Sequence, residues 1–426
     1  MSTRSISSGC WSRNDNLLEM MLFFEFLQVA IGNRKSLSCG IKDADWQRLF
    51  DFCKRQALLG IGFTAVEKLH SVGVVCPAAL RMQWMALALQ IERQNEKITK
   101  QCRELTKKYE HDGLQCCILK GQGNLLNYPE DLRMRRMPGD IDVWCIPPKE
   151  GLDIAVATGN KDVEYVNYRG RNAIIEYVKL QYRLSGIDKQ PIAICHHIVA
   201  PPFDGTEVEV HFKPSFCSSV LRNRRMQKWF SDHAYECTKN YCLYGFPVPT
   251  SSVNVVYQMC HIYNHYIYEG IGLRQLMDYY YTLRIWHNDW EEKKELESRG
   301  MLIEGHDTAV MSPSQVMDVL RSFGMAKFTA AVMYVLKKVF AMPAPYYICE
   351  PNEKEGKMLL AEMMNIGNFG HYDSEKPNVY QHRLQYHIWK FKRIFRLAMS
   401  YPEEALWEPV FRFYHLFWRT IQRIKD

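Results

Sequence analysis

Apolar residues recur at helical spacing through the first hundred residues, give way to short runs and strict alternation in the middle, and return at helical spacing to the end. In "DADWQRLFDFCKRQALLG" (43–60), Trp46, Leu49, Phe50 and Cys53 share one face. Asp43 or Asp45 stands where a helix N-cap belongs, and Gly60 reads as the stop. Trp84, Leu87, Ile91, Ile98, Cys102 and Leu105 repeat at near-heptad spacing, which predicts one long helix. "LLEMMLFFEFLQVAIG" (17–32) is interrupted by Glu19 and Glu25 and is too short to span a bilayer, so it reads as a core helix. No other segment reaches transmembrane length.

The middle changes period. "LQCCILKG" (114–121) and "IDVWCIPP" (141–148) are short apolar runs closed by Gly121 and Pro147-Pro148. "PIAICHHIVAPP" (191–202) reads as a strand, and "TEVEVHF" (206–212) alternates cleanly. "NAIIEYVKLQYRL" (172–184) suits helix or strand equally. After Ser251 the helical pattern resumes, broken by the polar, loop-like "NEKEGK" (352–357) and "GNFGHYDSEKPN" (367–378). The expected fold is α+β: a central mixed β-sheet core (111–250) flanked by an N-terminal helical region (1–110) and a C-terminal one (251–426).

Charge alters this picture only at one end. The net charge is +7, and from Gln381 onward nine Lys/Arg face four acids, so most of the surplus sits in the last tenth of the chain. The remainder is nearly balanced, which argues against a protein that coats nucleic acid generally. The fourteen cysteines form no C-x-x-C pair, and without a secretion signal they point to reduced thiols and a cytoplasmic location.

The chemistry is in the centre. In a strand, residues two apart share a face, so Asp140 and Asp142 of "GDIDVW" project together while Ile141 and Val143 enter a core. Two adjacent carboxylates repel unless a cation lies between them, and Mg²⁺ or Mn²⁺ suits such a site. A third carboxylate is expected on a neighbouring strand. Glu207, Glu209 and His211 alternate with Val208 and Val210 in "TEVEVHF" and supply it. This is the donor pattern of a two-metal site for in-line displacement at phosphorus. Lys120, Gly121 and Gly123 of "LKGQGN" offer an ammonium and approachable backbone to a phosphate. Arg133, Arg135 and Arg136 precede the acids and could neutralise a leaving pyrophosphate. No G-x-x-x-x-G-K-[ST] occurs.

These residues carry a resemblance. "ILKGQGNLLNYPEDLRMRRMPGDIDVW" (118–144) resembles the nucleotidyltransferase superfamily that includes DNA polymerase beta. Within it, the chain is most similar to the uncharacterised bacterial nucleotidyltransferases. The matching positions are Lys120-Gly121, Tyr128-Pro129, Arg136, Gly139 through Val143, Glu209 with His211, and Arg274 through Asp278. They extend over roughly 40–290, and "GNFGHYD" is a weaker later echo. The resemblance implies transfer of an NMP group from an NTP to an acceptor hydroxyl with release of pyrophosphate. Asp140, Asp142 and Glu209 are then the metal-binding catalytic acids, and Lys120, Gly121, Gly123, Arg136 and Gly139 bind the nucleotide. The acceptor can be a small molecule, RNA or protein. One departure is Gln122, where the superfamily usually has serine or glycine after its glycine.

Two other function classes fit the same residues: a non-catalytic nucleotide-binding regulatory module, and a nucleic-acid-directed terminal transferase or antitoxin-like protein. Several side chains have plainer readings. His196 and His197 lie in an apolar strand and should face opposite ways, packing or bonding to a site carboxylate. His261 and His265, four apart, suit a structural or substrate-wall role, because Ile262 replaces the glutamate of a zinc protease. Arg274 and Asp278, also four apart, most simply form a helix-face ion pair. "YHIWKFKRIFRLAMSY" (386–401) mixes aromatic and basic residues and suits either a core helix or an interaction surface.

Overall fold

The computed structural model of the chain describes residues 13–157, 163–188, 191–301, 310–368, 377 and 383–425. Four helices come first: α1 (Arg13–Ala30), α2 (Asp43–Arg55), α3 (Leu59–Ser71) and α4 (Ala78–His111). The central part contains strands β1 (Gln115–Leu119), β2 (Ile141–Ile146), β3 (Leu152–Ala157), β4 (Val163–Tyr168), β5 (His197–Phe203) and β6 (Thr206–His211). Short helices α5 (Lys120–Gly123) and α6 (Glu130–Arg133) follow β1, α7 (Gly170–Leu184) follows β4, and α8 (Val220–Asp232) and α9 (Ala234–Lys239) follow β6. The rest is helical: α10 (Ser251–Tyr268), α11 (Leu273–Ser298), α12 (Pro313–Ser322), α13 (Ala326–Phe340), α14 (Glu353–Ile366), α15 (Arg383–Ala398) and α16 (Pro402–Lys425). The expected α+β architecture is therefore present, and "NAIIEYVKLQYRL" resolves to helix as α7.

The main sheet has order β1-β2-β6-β5. β2 runs parallel to β6, and the outer pairs are antiparallel. Ile141, Val143, Cys145, Val208 and Val210 form one face and bury against Ile98, Cys102 and Leu105 of α4 and Ile174, Ile175 and Val178 of α7. The opposite face carries Leu119, Asp142, Trp144, Glu209 and His211. Trp144 meets Phe230 of α8 edge-on. Period two thus sorts the sheet into a dry face and a face that carries chemistry.

A second cluster joins the two ends of the chain. Phe23, Phe26, Trp46 and Trp84 belong to the same core as Tyr280, Leu336 and Phe340. Gln28 donates to the Val339 carbonyl, and Asn33 donates to the Phe340 carbonyl and the Tyr280 hydroxyl. All described cysteines carry free thiols.

Three local expectations are corrected, and one element was unforeseen. Gly60 does not stop α2, which ends at Arg55. A Cβ on Gly60 would stand 2.2 Å from the Arg135 carbonyl oxygen, so this glycine lets α3 approach the loop before β2. The cap of α2 is Lys42, whose N–H donates to the Asp45 carboxylate at 2.9 Å. "NEKEGK" is not a loop: α14 starts there, with Asn352 accepting from the Glu355 N–H. The β3–β4 hairpin, unforeseen in the sequence, pairs Leu152 with Tyr168 and Ala157 with Val163. "GNFGHYD" lies mostly outside the described residues.

Candidate active site

β2 and β6 bring the acids together. Their parallel register sets Asp142 opposite Glu209 and Trp144 opposite His211. Asp142 is buried, and its Oδ1 receives His211 Nε2 at 2.8 Å and Lys120 Nζ at 2.9 Å. Glu209 Oε2 lies 3.5 Å from the same His211 nitrogen, and Glu209 Oε1 lies 3.5 Å from His197 Nε2. Burial alone would depress the His211 imidazole, but the Asp142 and Glu209 carboxylates raise it to about 9. Burial alone would raise Glu209, but the His211 hydrogen bond, with His197 and Lys120, holds it at about 2. For Lys120, Asp142 and Asp140 outweigh burial and raise its pKa, so it stays charged.

Asp140 occupies the mouth of β2, half-exposed, just before the first strand residue. Among the described residues no hydrogen bond or ion pair engages it, although its charge acts on Lys120, Arg136 and Arg274. Lys120 (φ +29°) and Gly121 (φ +42°, ψ −117°) turn the chain sharply after β1. A left-handed φ at lysine is strained and persists only where the surroundings enforce it. Gly123 has a packing reason to be glycine: a Cβ there would lie 2.5 Å from the Ile118 carbonyl oxygen. Gly139 is exposed, and a Cβ on it would stand 4.0 Å from Arg274 Nη1.

The arginines are tied into the framework. Arg136 Nε and Nη2 both reach Asp278 at 2.7 Å, and the Tyr128 hydroxyl donates to the same carboxylate at 2.6 Å. The expected Arg274–Asp278 pair is thereby corrected, because the Arg136 fork takes both carboxylate oxygens. Arg274 donates instead to the Met137 carbonyl at 3.5 Å, and burial and the adjacent Arg136 lower its pKa to about 10. Arg135 pairs with Glu67 and Glu92, and Arg133 donates to the Tyr128 carbonyl. Gln122 is buried and donates to Asn95 Oδ1 at 3.0 Å, while Asn95 donates to the Met134 and Arg136 carbonyls. The Gln122 amide thus braces the loop against α4. Glu207 is exposed on β6 and stands outside the cluster.

Three features were less legible in the sequence. His196 precedes β5, so strand alternation does not apply, and the His196 and His197 rings both lie close to His211, at 5.0 and 5.2 Å between centroids. This corrects the expectation that they face opposite ways. Tyr257, His261 and His265 line one face of α10, and burial together with His265, Lys120 and His211 keeps His261 neutral. The spacing of four was the available signal for that wall. Tyr257 is fully buried within electrostatic reach of Lys120 and Asp142, and no feature of its sequence neighbourhood singled it out.

The residues present fit a divalent ion. Asp142, Glu209 and His211 each offer a donor atom, all within 4.8 Å of one another. The two carboxylates suit Mg²⁺ or Mn²⁺, and His211 can add a nitrogen donor only as the neutral ring, so a bound ion would displace its proton. A second group, His196, His197 and His211, lies beside it.

A mixed sheet thus presents two facing acids from parallel strands beneath a helical wall. The chain belongs to the family described as uncharacterised nucleotidyltransferase, whose model matches residues 42–302. That span includes both acid-bearing strands and the Arg136–Asp278 pair. No curated protein and no solved structure matches the chain. Among the described residues no helix is long and apolar enough to cross a membrane.

Proposed function

We propose that the protein moves an NMP group from an NTP to an acceptor hydroxyl. The observation that carries this reading is the register of β2 and β6, which places Asp142 against Glu209 with His211 touching both. A Mg²⁺ or Mn²⁺ ion held by Asp142, Glu209 and His211, with Asp140 at the strand mouth, would supply charge neutralisation for the triphosphate and the developing oxyanion.

The chain's own groups complete the task. Lys120 remains cationic on the floor of the site and stabilises phosphate oxygens as charge accumulates on pyrophosphate. Its bond to Asp142 also holds the carboxylate in place before substrate arrives. Asp140, without a bonded partner among the described residues, is the carboxylate at hand to act as base and take the proton of the acceptor hydroxyl. The acceptor oxygen bonds to the α-phosphorus as the bond to the β-phosphate oxygen breaks. The α10 face bearing Tyr257, His261 and His265 walls the site and limits water. Arg136, Tyr128 and Asp278 position the loop that carries Asp140. The acceptor is a small molecule, an RNA end or a protein hydroxyl.

Incubating the protein with Mn²⁺ or Mg²⁺, each α-labelled NTP and cell extract should move label to an acceptor. The Asp140→Asn/Asp142→Asn variant should lose transfer while keeping its circular dichroism. Equal transfer by that variant would refute the proposal. Nucleotide binding without transfer by the wild-type chain would assign it to a regulatory module instead.

A further inference from the structure

The last two helices carry apolar side chains outward as well as inward. On α15, Leu384, Ile388, Phe391, Phe395 and Met399, which directly follows the helix, step by four, three, four and four residues, and all are exposed. On α16, Leu406, Val410, Phe413, Phe417 and Ile421 repeat the same steps and are exposed as well. Phe395 is 83% exposed, Met399 89% and Phe417 67%. These steps keep side chains on one face of a helix, so each helix carries a continuous apolar stripe toward solvent.

Several charged groups point inward, beside the buried Trp389, Ile394 and Leu397. Glu404 is buried and accepts from the Ser218 N–H, and Glu403 pairs with Arg222. Glu408 is buried and pairs with Arg412, while Arg393 is buried and donates to the Ile267 carbonyl and to Glu362. A helix evolved only to cover a core would bury its Phe and Leu residues and expose its glutamates. Contiguous apolar surface of this extent marks an interaction site.

Charge identifies the occupant. α15 contains five basic residues and no acid, and the acids of α16 lie in its first seven residues, turned toward the body of the protein. Exposed Lys392 and Arg396 flank the α15 stripe, and Lys390 and Arg412 rest over the Tyr386 and Phe391 rings. A second copy would bring like charges together, whereas anionic headgroups satisfy them while acyl chains receive the Phe and Leu side chains. We infer that α15 and α16 form a docking surface that lies along an anionic lipid bilayer. Neither helix can cross it, so the attachment is monotopic. This surface is independent of the acids on β2 and β6.

Vesicle co-sedimentation of the full chain tests the inference. The protein should sediment with phosphatidylglycerol-containing vesicles, and weakly with pure phosphatidylcholine. Phe395→Ser/Phe417→Ser removes two exposed rings, leaves the core untouched, and should weaken partitioning about a hundredfold. Lys392→Gln/Arg396→Gln should erase the preference for the anionic lipid. Equal sedimentation of wild type and the Phe variant would overturn the inference. So would concentration-dependent dimerisation abolished by that variant without any vesicle binding, which would assign the surface to a second copy.

Discussion

The Arg136–Asp278 pair offers a sharp test of how the site is held. Its side chains are 5% and 4% exposed, and the two bonds of 2.7 Å make a fork that Tyr128 completes. Asp278→Asn keeps the shape and removes the charge, leaving Arg136 buried without a counterion. Arg274, its pKa already lowered by burial and by Arg136, lies within electrostatic reach, so two guanidiniums then share the site with one carboxylate fewer. Breaking a buried pair on one side costs about 3–5 kcal/mol. Replacing both partners by apolar groups, Arg136→Met/Asp278→Leu, removes that stranded charge. What remains is the Tyr128 hydroxyl without its acceptor, at about 1–3 kcal/mol. The double variant should therefore unfold later in urea than the single Asp278→Asn variant. Far-UV circular dichroism and tryptophan fluorescence through the first transition measure both. A loss below about 1 kcal/mol for Asp278→Asn, or a double variant less stable than the single, would refute the argument.

Other outcomes follow from the same geometry. Gly121→Ala has space, since its Cβ would lie 3.7 Å from the Asp140 carbonyl oxygen, but φ is +42°. It should lose about 1–2 kcal/mol by thermal shift and disturb Lys120. Gly123→Ala, blocked at 2.5 Å by the Ile118 carbonyl, should destabilise by a further margin of about 1–3 kcal/mol, read in the same assay. Gln122→Ser introduces the shorter hydroxyl side chain and breaks the bond to Asn95; the expected result is a lower melting temperature with nucleotide affinity unchanged. Chelation by EDTA should abolish label transfer, and either Mn²⁺ or Mg²⁺ should restore it; transfer that survives chelation would dissociate the acids from metal binding.

The legible parts of this protein are those governed by local periodicity. The strands 141–146 and 206–211 announce themselves through alternation and apolar runs, and the single helix over 78–111 through its near-heptad repeat. The common face of Glu209 and His211 followed from the same alternation, because period two decides which residues share a face, whereas Asp140 precedes β2 and stands outside the group of Asp142, Glu209 and His211. Which strands pair is another matter. The parallel register of Asp142 with Glu209 joins segments separated by a hairpin and a helix, and no local signal encodes it. The partner of Asp278 was misjudged for a similar reason: Arg274 is near in sequence, while Arg136 is near in space. Asn352 with Glu355 was a readable helix start, obscured by the polarity of its neighbours. His196 and His197 were misplaced because β5 begins only at His197, six residues after the start of the apolar run at Pro191, so His196 lies outside the strand.

The core shared by the two ends of the chain has a consequence for synthesis. Gln28 and Asn33 of the first helical region find their partners at Val339 and Phe340, more than 300 residues later. A ribosome adding about 5–20 residues per second takes roughly 15–60 s to cover that interval. Throughout it, α2–α4 can already cover Phe23 and Phe26, but the side of α1 that packs on α13 has left the exit tunnel while that helix is still untranslated. The expectation is that the nascent chain engages a holding chaperone through α1–α3, and releases it only after α13 emerges.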